Sequence, residues 1–534
     1  MADLMTIGGN AASSYKMALT AVSTNISNLN TEGYSRQSIK MVSEGEAPAV
    51  LVRMHDSFAE SSLRSANSSL TSQQPTVKYA DRVLNLIGSE AGSLTTALDK
   101  FFSSASRLGT DPSSDSLRQE FLSSANFLAS RVRTVAADLQ DVVVDNNSEV
   151  AQRVTELNGL SAQLSVINEE LTKYGGKDQP PSLLDKRDVV LMKMSALAKI
   201  DVTFSDVGLA KVSLHSPNSS RVLVENSIVK ELSVVGSNSP KNSQSIMYDA
   251  AGSNTTLGAI SGGLIGGLVA VKSAVIVPLV SNLNTMINSF VSSANSHHKA
   301  GINAQGDVNV SLFSVGSDSN YAENMTLSIA SSAQISAAGR LKISQPANNT
   351  AEIQATLSYG QNANWNGAIE SEFTVAFTSA TSYSVTQSGT TNAYQNFNIN
   401  NGITLGDVKL MFDKAPAASD SFTVGSNASG LGDNSNVKAI AALHTEKIVS
   451  DKTLRNFYID EVGKIATYSD LSSMSFEAKQ AVYDHAFSAK DQKSGVNLDE
   501  EAAELIRLQQ AFQGAAKLMQ VSAEIFDAII QASR

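Results

Sequence analysis

The stretch that decides the fold is residues 498–530, LDEEAAELIRLQQAFQGAAKLMQVSAEIFDAII, near the end of the sequence. Its apolar and small residues recur at alternating steps of four and three. This spacing keeps one stripe on a single helix face, and over more than about three heptads it is typical of a coiled-coil seam. The predicted seam residues are Leu498, Ala502, Leu505, Gln509, Phe512, Ala516, Met519, Ala523, Phe526 and Ile530.

The residue before this stretch indicates where the helix begins. Asn497 is a preferred N-cap residue type, and Glu500 follows it at the spacing of a capping box. Asp499, Glu500 and Glu501 would lie in the first turn, where the helix dipole favours negative charge. We therefore expect the helix to begin directly after Asn497.

A second amphipathic stripe lies at the other end of the sequence, on a helix that Asn28, Asn30 and Gly33 would terminate. Its residues are Met5, Gly8, Ala12, Tyr15, Leu19, Val22, Ile26 and Leu29. Neither terminal helix can bury its stripe alone. Each one either packs on the protein's own core or completes its burial against other subunits, and the pattern does not choose between these outcomes.

The sequence between these helices shows three kinds of pattern. Residues 60–180 show helical periodicity, including one long run from 117 to 171, and residues 264–298 and the chain from 437 onward are helical again. Residues 200–250 alternate as short strands, and residues 300–435 are rich in Ser, Thr, Asn and Gly with β-type alternation. The fold class predicted is multidomain α+β, with a terminal coiled coil, a long-helix bundle with a small β part, and an inserted β-rich domain.

Composition excludes several classes of function. A length of 534 residues is enough for several domains. The net charge of −11 argues against nucleic acid and against an anionic membrane surface as partners. The absence of cysteine removes disulfides, zinc-thiolate sites, iron–sulfur clusters and thiol nucleophiles.

Targeting and membrane signals are weak. The first ten residues lack the charged and apolar regions of a cleavable signal peptide. The best membrane-span candidate, residues 257–280, is interrupted by glycine pairs, Lys272 and Pro278, so a buried segment is the better interpretation. We expect no membrane span.

No catalytic pattern is evident. The six histidines are scattered and fit polar surface or helix-end positions. The glycine-containing stretch 266–273 fails as a phosphate-binding loop because Val271 stands where the second glycine is required. We therefore predict no catalytic residue, no cofactor and no metal.

Residues 23–37, STNISNLNTEGYSRQ, resemble the N-terminal signature of the bacterial flagellar axial protein family. The ending Tyr-Ser-Arg-Gln is more similar to the hook-associated class than to hook or rod proteins. The family-motif residues are Asn25, Asn28, Asn30, Thr31, Gly33, Tyr34, Arg36 and Gln37.

Four other stretches are similar to the same family, and the five occur in the expected order. They are residues 183–188 (LLDKRD), 295–307, 432–436 and 494–517. Residues 310–430 carry no recognisable motif.

The resemblance implies an architecture. Residues 1–60 with 490–534 would form an inner coiled-coil domain that lines a channel. Residues 61–300 with 437–489 would form a mainly helical domain whose small β part lies at about 200–250, and residues 301–436 would form a β-rich outer domain.

The resemblance also implies a structural role in joining hook to filament, as a helical assembly of identical subunits. The implied partners are other copies of the chain, the hook protein, the second hook-associated protein and an export chaperone at the C-terminal helix. The protein would be secreted by flagellar type III export to the hook–filament junction. The candidate assembly residues are Tyr15, Leu19, Val22, Ile26, Leu29, Leu498, Leu505, Phe512, Met519, Phe526 and Ile530.

Two alternatives stay open at this point. One is a different axial component, such as a filament subunit or the second junction protein. The other is a secreted adhesin or enzyme that uses the outer β domain.

Overall fold

The computed structural model combines long helices with several small β-sheets. It describes residues 2–41, 49–88, 94–176, 179–215, 221–236, 244–250, 253–257, 260–347, 349, 353–359, 372–406, 408–428 and 430–532. The helices are α1 (Ala2–Ser27), α2 (Ser57–Thr71), α3 (Gln73–Gly88), α4 (Leu94–Leu108), α5 (Asp115–Thr172), α6 (Pro181–Leu197), α7 (Gly263–Val271), α8 (Val277–Ala300), α9 (Ser435–Ala442), α10 (Leu454–Ser494) and α11 (Leu498–Ala532). A π-helical segment, Lys272–Ile276, joins α7 to α8.

The strands pair antiparallel throughout. They are β1 (Gln37–Met41), β2 (Ala49–Arg53), β3 (Ile200–Phe204), β4 (Ala210–Leu214), β5 (Arg221–Glu225), β6 (Ile228–Val229), β7 (Leu232–Val235), β8 (Ser245–Ala250), β9 (Ser253–Thr256), β10 (Gly301–Ile302), β11 (Phe313–Ser314), β12 (Thr326–Leu327), β13 (Ala338–Gly339), β14 (Leu341–Ser344), β15 (Ala355–Tyr359), β16 (Phe373–Ser379), β17 (Ser382–Gln387), β18 (Thr390–Tyr394), β19 (Ile403–Leu405), β20 (Val408–Phe412) and β21 (Ser421–Ser426). The strands predicted within 200–250 are confirmed.

The chain divides into two compact units, and each is built from separate stretches of sequence. The first unit comprises residues 1–81, 143–274 and 468–534, and the second comprises 82–142 and 275–467. The boundaries fall within α3, α5, the π-helical segment and α10. The three-domain division stays a prediction.

The first unit contains α1, α11, β1 and β2, together with α2, α6, α7 and strands β3–β9. Asn168 of α5 ties helix to sheet, because its amide nitrogen donates to the carbonyl oxygens of Ala210 and Asn226, both at 2.8 Å. The backbone nitrogen of Ala210 donates back to Asn168 Oδ1 at 3.0 Å. A buried amide with three hydrogen bonds to backbone fixes the position of strand β4 on α5.

The second unit has two apolar cores. In the helical part, the ring of Phe101 packs against those of Phe121, Phe290 and Phe313 at centroid distances of 5.2, 5.5 and 5.9 Å. In the β-rich part, a five-stranded sheet (β14-β21-β16-β17-β18) and a three-stranded sheet (β15-β20-β19) contribute to one cluster around Phe377. Residues alternate between buried and less buried along β16, which confirms the predicted β alternation there.

One helical segment, Gly263–Ala300, is long and apolar enough to cross a membrane by length and composition, and half of its most apolar window is buried. Ile265 and Leu268 are fully buried. A Cβ on Gly267 would lie 2.0 Å from the Ser72 carbonyl oxygen, so the backbones are in close contact there. This burial confirms the interpretation of the region as a core helix.

Candidate assembly site at the terminal helices and the N-terminal turn

The two terminal helices pack against each other in antiparallel orientation. Gly8 lies against Met519, where a Cβ would come within 2.7 Å of Met519 Cγ. Further along, Val22 packs in one cluster with Leu508. Because Gly8 has no side chain, the two helices can approach closely at one end of the pair. Apolar side chains such as Val22 and Leu508 pack between the helices further along.

The face of α11 that meets α1 is rotated by one residue from part of the predicted seam. Among the candidate assembly residues of α11, Leu505, Phe512 and Met519 are half-buried, while Leu498 and Phe526 are exposed. The Ile530 side chain lies outside the described part. The other half of the buried face consists of Glu501, Leu508, Ala515 and Ser522, whereas the predicted seam residues Ala502, Gln509 and Ala516 are exposed and Ala523 is half-buried.

The candidate residues of α1 follow the expected stripe more closely. Val22 is buried, and Tyr15, Leu19 and Ile26 are half-buried against it. Leu29, in the turn after the helix, is exposed. The role of all these residues in subunit assembly stays a prediction.

A further apolar face of α11 has no cover within the described chain. Its large side chains are solvent-exposed although they are aliphatic, and the sequence pattern did not single them out. They are Ile506, Leu518, Val521, Ile525 and Ile529. Exposed apolar residues that follow one another along a helix mark an interaction surface.

The centre of the N-terminal turn is the side chain of Asn25, which is 1% exposed. Its amide nitrogen donates to the Gln37 carbonyl oxygen at 2.9 Å and to Glu501 Oε2 at 3.0 Å. Its amide oxygen accepts from the Tyr34 hydroxyl at 2.7 Å and from the Gln37 backbone nitrogen at 2.9 Å. All four hydrogen-bonding positions of this amide are therefore used.

Glu501 connects the turn to α11. Its carboxylate is buried, and Oε1 accepts from Arg36 Nε at 2.6 Å while Oε2 accepts from Asn25. The Asn497 side-chain oxygen accepts from the backbone nitrogen of Asp499 at 2.9 Å, which confirms Asn497 as the N-cap. The side chain of Glu500 pairs with Arg36 at 3.2 Å.

Tyr34 contributes a neutral donor to this network. Burial, followed by the negative charges of Asp185 and Glu501, raises the pKa of Tyr34 to about 12. The hydroxyl therefore keeps its proton at neutral pH and continues to donate to Asn25.

The remaining motif residues shape the turn. Asn28 closes α1, because its side-chain nitrogen donates to the Thr24 carbonyl oxygen at 2.9 Å and its side-chain oxygen accepts from Thr31 Oγ1 at 3.2 Å. Asn30 is exposed. Gly33 has a φ of +75°, and a Cβ there would lie 2.1 Å from Val189 Cγ2. Both backbone conformation and space therefore require glycine.

Residues 183–188 (LLDKRD), the second stretch that resembles the flagellar axial family, lie beside this turn. The Ser35 backbone nitrogen approaches Asp185 Oδ2 at 3.4 Å, and burial raises the pKa of Asp185. Burial alone would also raise the pKa of Asp188, but the Arg187 and Arg53 guanidinium groups hold it below its ordinary value. The motif thus forms a buried ion cluster under the turn.

His55, Glu60 and Asp188 are close enough to suggest a metal site. Arg53 Nη2 occupies that place: it lies 3.1 Å from His55 Nδ1 and 3.2 Å from Glu60 Oε1, and it also contacts Asp188. The Arg53 guanidinium already neutralises the carboxylates of Glu60 and Asp188. These side chains therefore hold an arginine of the same chain where a metal ion would otherwise bind.

Motifs of the second unit are also used internally. His298 is fully buried near the end of α8; its Nδ1 donates to the Val310 carbonyl oxygen at 2.7 Å, and its Nε2 accepts from the Ser336 backbone nitrogen at 3.1 Å. Burial lowers the pKa of His298 to about 4. Of the two predicted settings, polar surface or helix end, His298 takes the helix end, and it is buried there because both ring nitrogens bind backbone.

Sequence reasoning missed two residues, Glu501 and Arg53, as centres of these networks. Glu501 was noted only for its position in a helix first turn, and Arg53 was not noted at all. A buried arginine between separate acidic segments leaves no local pattern. The sequence did contain one clue: an acidic first turn in the C-terminal helix and an arginine, Arg36, in the N-terminal motif could have been predicted to form an ion pair.

Comparisons with known proteins agree along the chain. The family described as flagellar hook-associated protein FlgK helical domain matches residues 80–313, and that described as flagellar basal body rod FlgEFG protein C-terminal matches residues 491–532. Flagellar hook-associated protein 1 of Escherichia coli strain K12 is 24% identical over 569 aligned residues, covering 98% of each chain. That of Bacillus subtilis strain 168 is 21% identical, covering 97% of this chain and 96% of the other.

A solved structure has a similar fold. The flagellar hook junction protein FlgK from Burkholderia pseudomallei superposes with a TM-score of 0.68 at 19% identity. The match covers 81% of this chain and 99% of that one.

Proposed function

This chain belongs to the flagellar hook-associated protein 1 family, and we propose that it is a structural subunit that joins the flagellar hook to the filament. The observation that carries the proposal is the convergence of motifs on Asn25. The first turn of α11 meets Asn25 and Arg36 through Glu501, and the LLDKRD segment contacts the N-terminal turn where the Ser35 backbone nitrogen donates to Asp185. These hydrogen bonds fix the position of α11 along α1.

The assembly is a helical polymer of identical subunits. The exposed apolar residues of α11 gain cover from neighbouring copies, and because each is about half exposed, burying the rest contributes roughly 1 kcal/mol per residue. Contacts between two different surfaces of the same subunit generate a helix rather than a closed dimer. In this arrangement residues 1–60 with 490–534 form the inner coiled coil, and residues 301–436 face outward.

A position between hook and filament also determines the proposed partners. They are the hook protein below, the second hook-associated protein above, and an export chaperone that binds the C-terminal helix before assembly. The subunit is secreted by flagellar type III export and acts at the hook–filament junction. We infer a structural role and no enzymatic one, which the similarity to flagellar hook-associated proteins supports.

Removal of residues 512–534 tests this proposal. The truncation keeps Asn25 and Glu501 but deletes the exposed apolar part of α11. In cells that lack the native gene, we expect the full-length chain to restore filaments and the truncated chain to be absent from hook tips by immunogold labelling. A truncated chain that assembles at hook tips and still binds its chaperone would contradict the proposal.

Copy number separates a junction subunit from a filament subunit. A junction protein is present in few copies per flagellum, whereas a filament subunit is the most abundant component. Quantitative mass spectrometry of purified flagella is expected to find this chain at a small fraction of the filament subunit. Comparable amounts would favour the filament role.

A further inference from the structure

Strand β18 (Thr390–Tyr394) forms one edge of the five-stranded sheet in the second unit. It pairs with β17 on one side, and the described part of the chain places no strand on its other side. All five of its residues are exposed. An edge strand of this kind carries backbone N–H and C=O groups with which another strand can pair.

The hairpin that carries β18 is already formed within the chain. Its loop residues, Ser388 and Gly389, have φ angles of 50° and 78°, as in the type I′ turn that fits the twist of paired strands. The rings of Tyr383 and Tyr394 stack across the two strands at a centroid distance of 5.1 Å. Because the strand is preformed, it loses little conformational entropy when it pairs with a partner.

The register of the hairpin decides which backbone groups of β18 point outward. In a two-residue hairpin the residues that flank the loop form a hydrogen-bonded pair, and such pairs alternate with unbonded ones along the strands. Thr391 and Ala393 fall in the unbonded pairs, opposite Thr386 and Ser384. The N–H and C=O groups of Thr391 and Ala393 therefore point away from β17, toward the open edge.

This arrangement is complementary to itself. When a second β18 approaches in antiparallel orientation, Thr391 of each copy faces Ala393 of the other, and each such pair exchanges two hydrogen bonds. The two Asn392 residues then meet on the two-fold axis as an unbonded pair, with their Cα atoms about 4.5 Å apart. The outward groups of both strands are all bonded in this register, and the sheet of one copy continues into that of the other.

The distribution of charge favours a second copy as the partner. The chain carries a net charge of −11, so two copies repel each other over most of their surface. Residues 373–406, which contain β16, β17, β18 and β19, include no Lys, Arg, His, Asp, Glu or Pro. Natural edge strands usually carry a charge or a proline that prevents pairing between copies, and β18 has neither.

We infer that β18 is a docking edge for β18 of a second copy of this chain, in antiparallel register with Asn392 on the two-fold axis. A two-fold contact reverses one copy relative to the other, whereas the contacts proposed within the helical assembly join two different surfaces. The β18 contact therefore joins free chains or chains of two separate assemblies, and it does not rest on the proposed function.

The absence of cysteine from the chain allows a direct test by disulfide cross-linking. Variant N392C places one thiol on the axis, where the Cα separation of about 4.5 Å lies within the range of about 4.4–6.8 Å that a disulfide spans. Variant T404C places the same thiol at an exposed residue of β19, in the three-stranded sheet. Both purified full-length variants are oxidised under the same conditions, and the linked dimer is quantified by non-reducing gel electrophoresis.

We expect N392C to form the linked dimer at least about tenfold faster than T404C, because pairing raises the effective concentration of the two thiols. Equal rates would overturn the inference, since they would reflect random collision. Association of two chains through α11 alone would also give equal rates, because it brings neither pair of thiols into register.

A second pair of variants tests the strength of the contact. N392K places two ammonium groups opposite each other on the axis, and T404K adds the same charge in the other sheet. Asn392 and Thr404 are both exposed, so we expect both variants to keep the circular dichroism spectrum of the unchanged chain.

Analytical ultracentrifugation measures the dissociation constant of the dimer for these chains. We expect N392K to raise it about tenfold and T404K to leave it unchanged. An unchanged chain that stays monomeric up to about 1 mM, or an equal effect of the two variants, would overturn the inference. The proposed function is judged separately, by the presence of the unchanged chain at hook tips.

Discussion

The two ends of the α1–α11 pair are built in opposite ways. At the turn end, Asn25 and Arg36 donate hydrogen bonds to the buried carboxylate of Glu501, and Tyr34 donates to Asn25. At the far end, Leu518, Ile525 and other aliphatic residues of α11 remain exposed. The central polar groups of one end are bonded within the chain, although Leu498 and Ile506 are exposed there, and the other end presents a longer apolar surface without cover in the described chain.

One helix pair can therefore serve two purposes. Hydrogen bonds are directional, so the turn end fixes the register and rotation of α11 against α1. Apolar burial is non-directional and scales with area, so the far end can adapt to neighbours of several shapes. Specificity within the subunit and capacity for assembly are thus separated along 35 residues of α11.

The largest effect is expected from N25D, which attacks the turn end. The substitution keeps the shape of the side chain but places a carboxylate 3.0 Å from Glu501 Oε2. Two like charges in a buried site, with a donor lost, are expected to reduce the free energy of unfolding by about 3–5 kcal/mol. Chemical denaturation followed by circular dichroism measures the loss.

The matched control for this variant is N30D, because Asn30 lies in the same turn and is exposed. It is expected to change the free energy of unfolding by less than about 0.5 kcal/mol. If N25D is tolerated as well as N30D, the polar network does not hold the turn end.

The next largest effect is expected from His298, and it tests whether a buried, fully hydrogen-bonded side chain also stabilises the second unit. The folded pKa of His298 is about 4, against 6.5 for an ordinary histidine, so the folded state binds its proton less tightly than the unfolded state. The stability from this group is complete above pH 6.5 and declines as pH falls from 6.5 to 4, by about 3 kcal/mol in total. Denaturation at pH 7 and at pH 4.5 measures it.

Carboxylates titrate in part of the same range, so the comparison is made with H298Q. This variant keeps a neutral side chain that can donate and accept, and it is expected to lose less stability on acidification than the unchanged chain. Identical pH dependence in the two chains would show that His298 is not the responsible group.

A smaller effect is expected from G33A. Its φ of +75° disfavours a side chain, and the new Cβ would meet Val189 Cγ2. We expect a loss of about 1–3 kcal/mol in unfolding free energy. Adding V189A removes the clash but not the backbone strain, so the double variant should recover only part of the loss. Full recovery would assign the whole effect to packing, and no loss in G33A would remove the turn's need for glycine.

Sequence reasoning located the helices well because their periodicity is long and local. The face of α11 that packs on α1 differs in part from the predicted seam, because Leu505, Ile506 and Leu508 allow more than one stripe and periodicity alone cannot rank them. The choice is made by the contact between Asn25 and Glu501, which are 476 residues apart in sequence. No local pattern reports a hydrogen bond over that separation.

Hydrogen exchange along α11, measured on the monomer and on the assembled junction, tests the central claim most directly. We expect residues 502–508 to be protected in both states, because the hydrogen bonds around Glu501 fix this part of α11 within the chain. We expect residues 518–529 to exchange quickly in the monomer and to become protected only on assembly. Strong protection of 518–529 in the monomer, or none in the assembly, would contradict the division of the helix pair into a fixed end and an open end.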